Sequence, residues 1–259
     1  MKNSGLLKAL FGISLMLSLQ ACNLPGNTAT PSADSSPAAP QSLPAASGDN
    51  ACSNPLFPVV KGASWTYSVT GSASDTFTHS ITNVQADGFT DQDLFTGGVT
   101  RTGEWKCDNG ALIAFSPLTG PTGAVTANNM TATFKTSNMT GVTLPASINP
   151  GDTWTQDFAV EGTQSVNGQE LAAKGNVTFA CTAGSSESLT VPAGTFNAVR
   201  ADCKIKLVVT VTLAGLPVPT SFSGDTSTWF APGVGLVKME GSLPSLGSST
   251  MELTSYTLP

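Results

Sequence analysis

The only histidine of the chain, His79, is the one side chain that could serve as general base in a Ser-His-Asp site. It lies between Phe77 and Ile81 in a stretch whose polarity alternates, which is typical of a β-strand. The chain contains no G-x-S-x-G motif that would present a nucleophilic serine. We therefore predict that His79 faces the interior of a sheet and that the chain has no catalytic residue.

Acidic residues offer two further kinds of chemistry. Glycoside hydrolysis needs two carboxylates facing one cleft, but no motif joins the candidates Glu161, Glu170 and Glu187, so we expect them to be solvated. The segment Asp87–Asp93 places three aspartates within seven residues, as a calcium loop would. It lacks the ligand order and the closing glutamate of an EF-hand loop. We therefore predict a polar hairpin loop there, with no bound metal and no cofactor.

Cys22 stands apart from the other four cysteines because it ends a typical export signal. Lys2 and Lys8 precede an apolar run from Leu10 to Leu19, which is too short to cross a bilayer. With Ala21 directly before Cys22, the segment resembles a bacterial lipoprotein signal, which implies that Cys22 becomes the lipidated first residue of the mature chain. An ordinary secretory signal with a coincidental cysteine is the alternative.

This resemblance implies a domain outside the cytoplasm, anchored by palmitate or related acyl chains to a membrane of the cell envelope. Asn23 would direct it to the outer membrane in a cell with two membranes. We expect residues 1–21 to be the signal peptide and residues 22–50, rich in Pro, Ala and Ser, to be a disordered tether with a typical reach of roughly 30 Å. Residues 51–259 are predicted to form a single β domain.

Four cysteines remain in that domain, an even number that suits an oxidising compartment. Three connectivities are open, and we favour Cys52–Cys107 with Cys181–Cys203. Metal binding is the weaker alternative, because no C-x-x-C pair exists and the chain has one histidine. The net charge of −6 leaves no basic stripe for phosphates, so we expect no nucleic-acid partner.

The domain has no convincing helical period and many short runs of Thr, Val and aromatic residues between turns, which predicts an all-β, antiparallel fold. The candidate strands are Ser64–Thr70, Thr76–Val84, Gly98–Cys107, Ala111–Phe115, Met130–Thr136, Thr153–Val160, Ala173–Thr182, Glu187–Val191, Thr195–Leu213, Ser221–Phe230, Gly235–Glu240 and Ser249–Tyr256.

The sharpest alternation runs from Val199 to Leu213, with apolar residues at every odd position. At about 3.3 Å per residue this run spans roughly 50 Å, which is long for a flat sandwich. It favours a curved antiparallel sheet or a partly open barrel. A tight turn at Pro192–Thr195 would pair Val191 with Phe196 and place Cys203 opposite residue 184, just beyond a short middle strand.

Three short motifs span the domain. They are Gly62-x-x-Trp65-x-Tyr67, the segment V-P-A-G-T-F at 191–196, and the segment W-F-A-P-G-V-G-L-V at 229–237. With these motifs the chain resembles a group of exported bacterial proteins, many of them lipoproteins of unassigned biochemistry. The resemblance implies a curved antiparallel sheet similar to the lipoprotein-carrier fold, and no catalytic residues. The turn chemistry of the last two motifs indicates a structural role.

These features leave three functional hypotheses. The first is a non-catalytic binding or envelope module whose partner is an envelope protein of unknown identity. The second is a carrier of a lipid or other apolar ligand, since the odd positions of residues 199–213 could line a concave pocket. The third is an unrecognised hydrolase. The sequence does not indicate which residues would bind a ligand.

Overall fold

A computed structural model of the chain describes residues 51–71, 74–114, 124–127, 130–166, 169–213, 216–243 and 247–259. All of these residues belong to one compact unit, Ala46–Pro259. The signal peptide and tether predicted for residues 1–50 therefore lie outside the described residues. Within the described ranges, no helix is long and apolar enough to span a membrane.

This compact unit is all-β, as predicted. Its strands are β1 Ser64–Gly71, β2 Asp75–Val84, β3 Gly88–Phe95, β4 Thr100–Asp108, β5 Ala111–Ala114, β6 Ala124–Ala127, β7 Met130–Gly141, β8 Thr153–Val166, β9 Gln169–Val191, β10 Gly194–Leu213, β11 Leu216–Ala231, β12 Gly235–Leu243 and β13 Gly247–Thr257.

The strands form one antiparallel sheet in the order β3-β2-β1-β13-β12-β11-β10-β9-β8-β7-β6-β4-β5, and β3 also pairs with β4. This last pairing closes the sheet into a nearly complete barrel. The narrowest junction is between β4 and β6, which pair only at Thr100↔Thr126, Arg101↔Val125 and Thr102↔Ala124. The predicted partly open barrel is therefore the observed architecture.

One predicted loop is a strand. Residues 88–95 form β3, which pairs with β2 on one side and β4 on the other. Two aspartates of this segment, Asp91 and Asp93, are buried in the barrel. The prediction was wrong because strand propensity penalises aspartate for its cost of burial, and neighbouring strands offset that cost here.

The region around the second pair of cysteines also differs from the prediction. The two segments predicted at 173–182 and 187–191 belong to one strand, β9, of 23 residues. Val191 pairs with Gly194, not Phe196, and a register shift near Val199 then places Cys203 directly opposite Cys181. Cys203 is therefore not opposite residue 184. The turn accounts for two residues of this difference and the shift near Val199 for one, because the alternation within one strand tells which side chains share a face and does not fix the register against its neighbour.

Two disulfides tie the barrel together, and they join the pairs favoured from the sequence. Cys52–Cys107 connects the segment before β1 to β4, and Cys181–Cys203 joins directly paired residues of β9 and β10. The first closes a loop with a sequence separation of 55 residues and the second a loop of 22 residues.

The apolar core lies mainly at one end of the barrel. Its largest fully buried side chains include Trp65, Phe89, Ile81 and Leu253. A second, smaller cluster of Phe158, Val160 and Val177 covers the middle of the long strands β8 and β9. The alternation of β10 is as predicted, but its apolar face is not a fully covered core. Ile205, Leu207 and Val209 are only partly buried.

Candidate functional site

Four ionisable side chains meet inside the barrel wall formed by β2, β3 and β4. Antiparallel register places His79, Asp93 and Arg101 side by side, with Asp91 two residues away on β3 and on the same face. We call these four residues the interior quartet. Side chains at directly paired positions of neighbouring strands lie within contact distance, so the register itself assembles the group.

Asp93 is the centre of the quartet. The Nδ1 atom of His79 lies 2.7 Å from Asp93 Oδ1, and the guanidinium of Arg101 lies 2.9 Å from Asp93 Oδ2. Both carboxylate oxygens are therefore occupied. Asp91 accepts a hydrogen bond of 2.7 Å from the indole N–H of Trp105, and its Oδ2 lies 3.9 Å from His79 Nε2.

Aromatic rings surround these charges. The Arg101 guanidinium lies over the rings of Phe77 and Phe95, at 5.8 and 4.7 Å from their centroids. The His79 ring contacts Trp65 and Phe57, with centroids 5.6 and 6.1 Å apart. Rings attract a cation while excluding water, so they strengthen the charge pairs that they enclose.

Burial and charge act in opposite directions on His79. Burial lowers the pKa of His79, and the positive charge of Arg101 lowers it further. The hydrogen bond to Asp93 and the negative charges of Asp93 and Asp91 raise it. The effects that raise the pKa are the larger, so the pKa of His79 lies above its ordinary value. The pKa of Asp91 is raised by burial, although His79 and the Trp105 hydrogen bond oppose the shift. The folded domain therefore holds protons on this group more tightly than the unfolded chain does.

The quartet contains the His–Asp half of a catalytic triad. The other half is absent from the part of the chain that the structure describes, since His79 Nε2 has no hydrogen-bond partner there and so meets no hydroxyl group. Within that same part, no group of three or more His, Cys, Asp or Glu side chains could hold a metal ion. Arg101 also occupies the Asp93 oxygen that a cation would need.

The quartet was missed from the sequence, although two signals were available. The first signal is the alternation in β3. Its odd-numbered residues from 89 to 95 all face inward, as in any β-strand with one buried face, and two of the four are aspartates: Phe89, Asp91, Asp93 and Phe95. The charge partners, His79 and Arg101, come from the strands before and after in the chain. Pairing three consecutive strands would have brought them together.

The other acidic candidates are not brought together. Glu161 of β8 pairs in register with Lys174 of β9 and Lys135 of β7, away from Glu187. Glu187 lies 13 positions further along β9 than Lys174, about 40 Å away at strand spacing, and accepts a hydrogen bond from the indole N–H of Trp229. Glu170 lies opposite Ser165 near the other end of β9. No pair of these three carboxylates shares a cleft.

One concavity of about 740 Å³ opens across β8–β11 beside the second disulfide. Its lining is mostly Thr, Ser and charged side chains, with Trp154 as the main apolar member. Another, of about 290 Å³, is lined by Thr82, Glu104 and Asp91 of the quartet, among other residues. Neither has the apolar lining that an acyl chain requires.

The first and third sequence motifs meet in space. The indole N–H of Trp65 donates a 2.6 Å hydrogen bond to the Val234 carbonyl, and the Tyr67 hydroxyl donates a 2.8 Å bond to the Leu236 carbonyl. Gly235 lies between these carbonyls at φ +111°, and a Cβ there would come within 3.3 Å of the Trp65 indole nitrogen. This contact requires glycine and gives both motifs a structural role.

These features define a disulfide-linked, all-β barrel with a buried charge network. A family model described as DUF3108-like matches residues 65–244, and the chain belongs to this family. The matched range includes Trp65, Tyr67 and both turn motifs. No curated protein sequence matches the chain.

Among solved structures, the chain is similar to an exported protein of Bacteroides fragilis with a YmcC-like fold, at 16% identity and a TM-score of 0.47 over 78% of this chain and 98% of that one. It is similar to a protein of Parabacteroides distasonis described as a lipoprotein, at 17% identity and a TM-score of 0.47 over 79% and 99% of the two chains. A third is the hypothetical lipoprotein YmcC of Escherichia coli K12, at 10% identity and a TM-score of 0.34 over 77% and 86%.

Proposed function

We propose that this protein is an exported lipoprotein, anchored in a membrane of the cell envelope through Cys22, whose β domain is a non-catalytic binding module outside the cytoplasm. The observation that carries the proposal is the pair of disulfides, Cys52–Cys107 and Cys181–Cys203, inside the domain. Structural disulfides persist in oxidising compartments and are rare in the cytosol.

The pairing leaves one cysteine for another purpose. Of five cysteines in the chain, four are joined in the domain, and the fifth is Cys22 at the end of the predicted signal. Two or more acyl chains on that residue would hold the protein stably on a membrane, since each buried methylene contributes about 0.8 kcal/mol. A tether at residues 23–50 would keep the barrel close to the surface without fixing its orientation.

A palmitate analogue with a clickable tag tests the anchor in cells that express the full chain. We expect the chain to be labelled and to fractionate with membranes, and Cys22→Ser to lose both properties. The double variant Cys181→Ala/Cys203→Ala is the matched control, because it removes cysteines that are joined in the barrel and should keep the label. Label that persists in Cys22→Ser would contradict the proposal.

A carrier of an apolar ligand is the second candidate. The partly buried inner side chains of Ile205 and Leu207 favour it, since a fully packed barrel would leave no such residues. Native mass spectrometry of the protein purified from its host would show a bound lipid mass. A spectrum of the bare chain alone would exclude the carrier.

A further inference from the structure

The described residues have six large hydrophobic side chains that are strongly exposed, and three of them lie near one end of the β10–β11 hairpin. Leu216 is 69% exposed, while Val208 and Val218 are each 42% exposed. Val211, paired with Val218, belongs to neither core cluster. We call Val208, Val211, Leu216 and Val218 the tip patch.

The tip patch has apolar side chains on both faces of the hairpin. Val211 and Val218 share one face as a directly paired couple, and Val208 lies on the other face opposite Ser221. From Leu207 to Gly224 the sequence contains no charged residue, whereas Lys206 and Asp225 flank this run. An exposed apolar surface without charge fits a hydrocarbon environment and is costly in water.

The free edge of the same hairpin argues against a second strand as the partner. Within the described residues, β11 pairs with β12 only from Asp225 onward, so residues 216–221 have β10 as their one neighbouring strand. Pro217 and Pro219 lie in this open stretch and have no N–H to donate. Proline on an edge strand blocks pairing with another chain, so the patch is available for apolar contact rather than for sheet extension.

We propose that the tip patch rests on a lipid bilayer surface, with Leu216 reaching furthest into the boundary between headgroups and acyl chains. The inference deepens the proposed function, because an anchor at Cys22 would tether the barrel to the bilayer. The tether joins the barrel beside Cys52, which packs in the same core cluster as Trp229, and the tip patch lies about 40 Å further along β10 and β11. The tether must therefore extend beyond its typical reach of roughly 30 Å, and its full extension of about 90 Å allows this. A tethered domain needs only a weak second contact, since its effective concentration at the surface is high.

The neighbouring charges set the depth of the contact. Lys174 of β9 pairs with Thr210, and beyond that level β10 continues for three residues, about 10 Å, to Leu213. Val208 lies before this level, so only Val211, Leu216 and Val218 of the tip patch reach the boundary. Interfacial elements bury their apolar side chains by about 5–10 Å. Glu170 is exposed four residues before Lys174 on β9, about 13 Å further toward the hairpin end, so its carboxylate lies level with the end of β10. A carboxylate there keeps the contact at the headgroup boundary, because burying its charge is costly.

Flotation with phosphatidylcholine vesicles tests the contact in the mature chain, residues 22–259, carrying Cys22→Ser, so that every sample lacks both the apolar signal and the lipid anchor. Leu216→Asp should lower the partition coefficient by roughly tenfold, because it puts a charge where a leucine enters the boundary. Leu94→Asp is the matched control: Leu94 is 54% exposed on β3, outside the hairpin, and its replacement should leave binding within about twofold of the parent. Binding should also be unaffected by salt, since the patch is uncharged.

A second measurement covers the case in which an aspartate disturbs the fold. Leu216→Trp should be quenched by vesicles with brominated acyl chains, and Leu94→Trp should not; the four native tryptophans are common to both variants. Equal flotation of the two aspartate variants, or equal quenching of the two tryptophan variants, would overturn the proposal. A vesicle-free dimer that Leu216→Asp disperses would instead assign the patch to a second copy of the chain. All these results are independent of lipidation, which the palmitate experiment tests by itself.

Discussion

Replacement of Asp93 by asparagine tests whether the negative charge of Asp93 stabilises the interior quartet and with it the folded domain. The substitution keeps the shape of the side chain but removes the negative charge that faces His79 at 2.7 Å and Arg101 at 2.9 Å. Removing one partner of a buried ion pair typically costs about 3–5 kcal/mol, because the other charge stays buried without compensation. The Arg101 side chain is 27% exposed and can recover some hydration, so we expect about 3 kcal/mol.

The same variant should change how stability depends on pH. His79 is the only histidine, so it is the main side chain that titrates between pH 6 and 8 in the disulfide-linked domain. Because its folded-state pKa is raised, its contribution to the free energy of unfolding is complete below the unfolded pKa of about 6.5 and is lost as the pH rises through the folded value. The loss is at most about 1.4 kcal/mol per pH unit. Asp91, whose pKa is also raised, contributes with the same sign at lower pH.

Urea unfolding of the full chain, followed by tryptophan fluorescence at several pH values from 6 to 8, measures both effects. We expect the wild-type protein to become less stable across this range and Asp93→Asn to show a flatter dependence, because burial then opposes the protonation of His79 with less compensation. Asp202→Asn is the control: it breaks an exposed pair with Arg200 and should cost less than about 1 kcal/mol without altering the pH slope. Equal costs for the two variants, or an unchanged slope in Asp93→Asn, would refute the reasoning.

Two further predictions concern the covalent and hydrogen-bonded links of the barrel. Each disulfide restricts the unfolded chain, and the longer loop should contribute more to the free energy of unfolding. For separations of 55 and 22 residues, Cys52→Ala/Cys107→Ala should lower that free energy by about 4 kcal/mol and Cys181→Ala/Cys203→Ala by about 3 kcal/mol. The same urea unfolding measures both values, and the reverse order would contradict the loop-length argument. Trp65→Phe should cost about 1–3 kcal/mol, because it leaves the buried Val234 carbonyl without its donor, whereas Tyr256→Phe at an exposed site should be nearly neutral in thermal unfolding.

Much of the barrel was predictable from local pattern. Apolar residues occupy every odd position of β10 from Val199 to Leu213, and turn residues mark the ends of most strands, so the strand class followed from composition and period. The cysteine pairs followed from number and placement. The register behind the Cys181–Cys203 bond did not, because the turn moves the partner of Cys203 by two residues and the register shift near Val199 moves it by one more, from residue 184 to Cys181.

The candidate site was harder to predict because each of its charged residues, considered alone, is unfavourable inside a β-sheet. Asp91 and Asp93 suggest a loop when considered alone, since a buried carboxylate is costly. Their burial becomes tolerable only when β2 supplies His79, β4 supplies Arg101 and Trp105, and aromatic rings exclude water around them. Each partner is separated from the aspartates by a turn, so a local window could not show the compensation.

The sequence by itself determined the all-β class and the four cysteines available for disulfides, and it predicts an export signal ending at Cys22, because each of these depends on residue type and short-range period. Only the tertiary structure decided which strands close the barrel, that β3 carries buried charges, and that the β10–β11 hairpin ends in exposed leucine and valine. These properties depend on which side chains face one another across strands and on what covers them, and pairing between distant segments sets both.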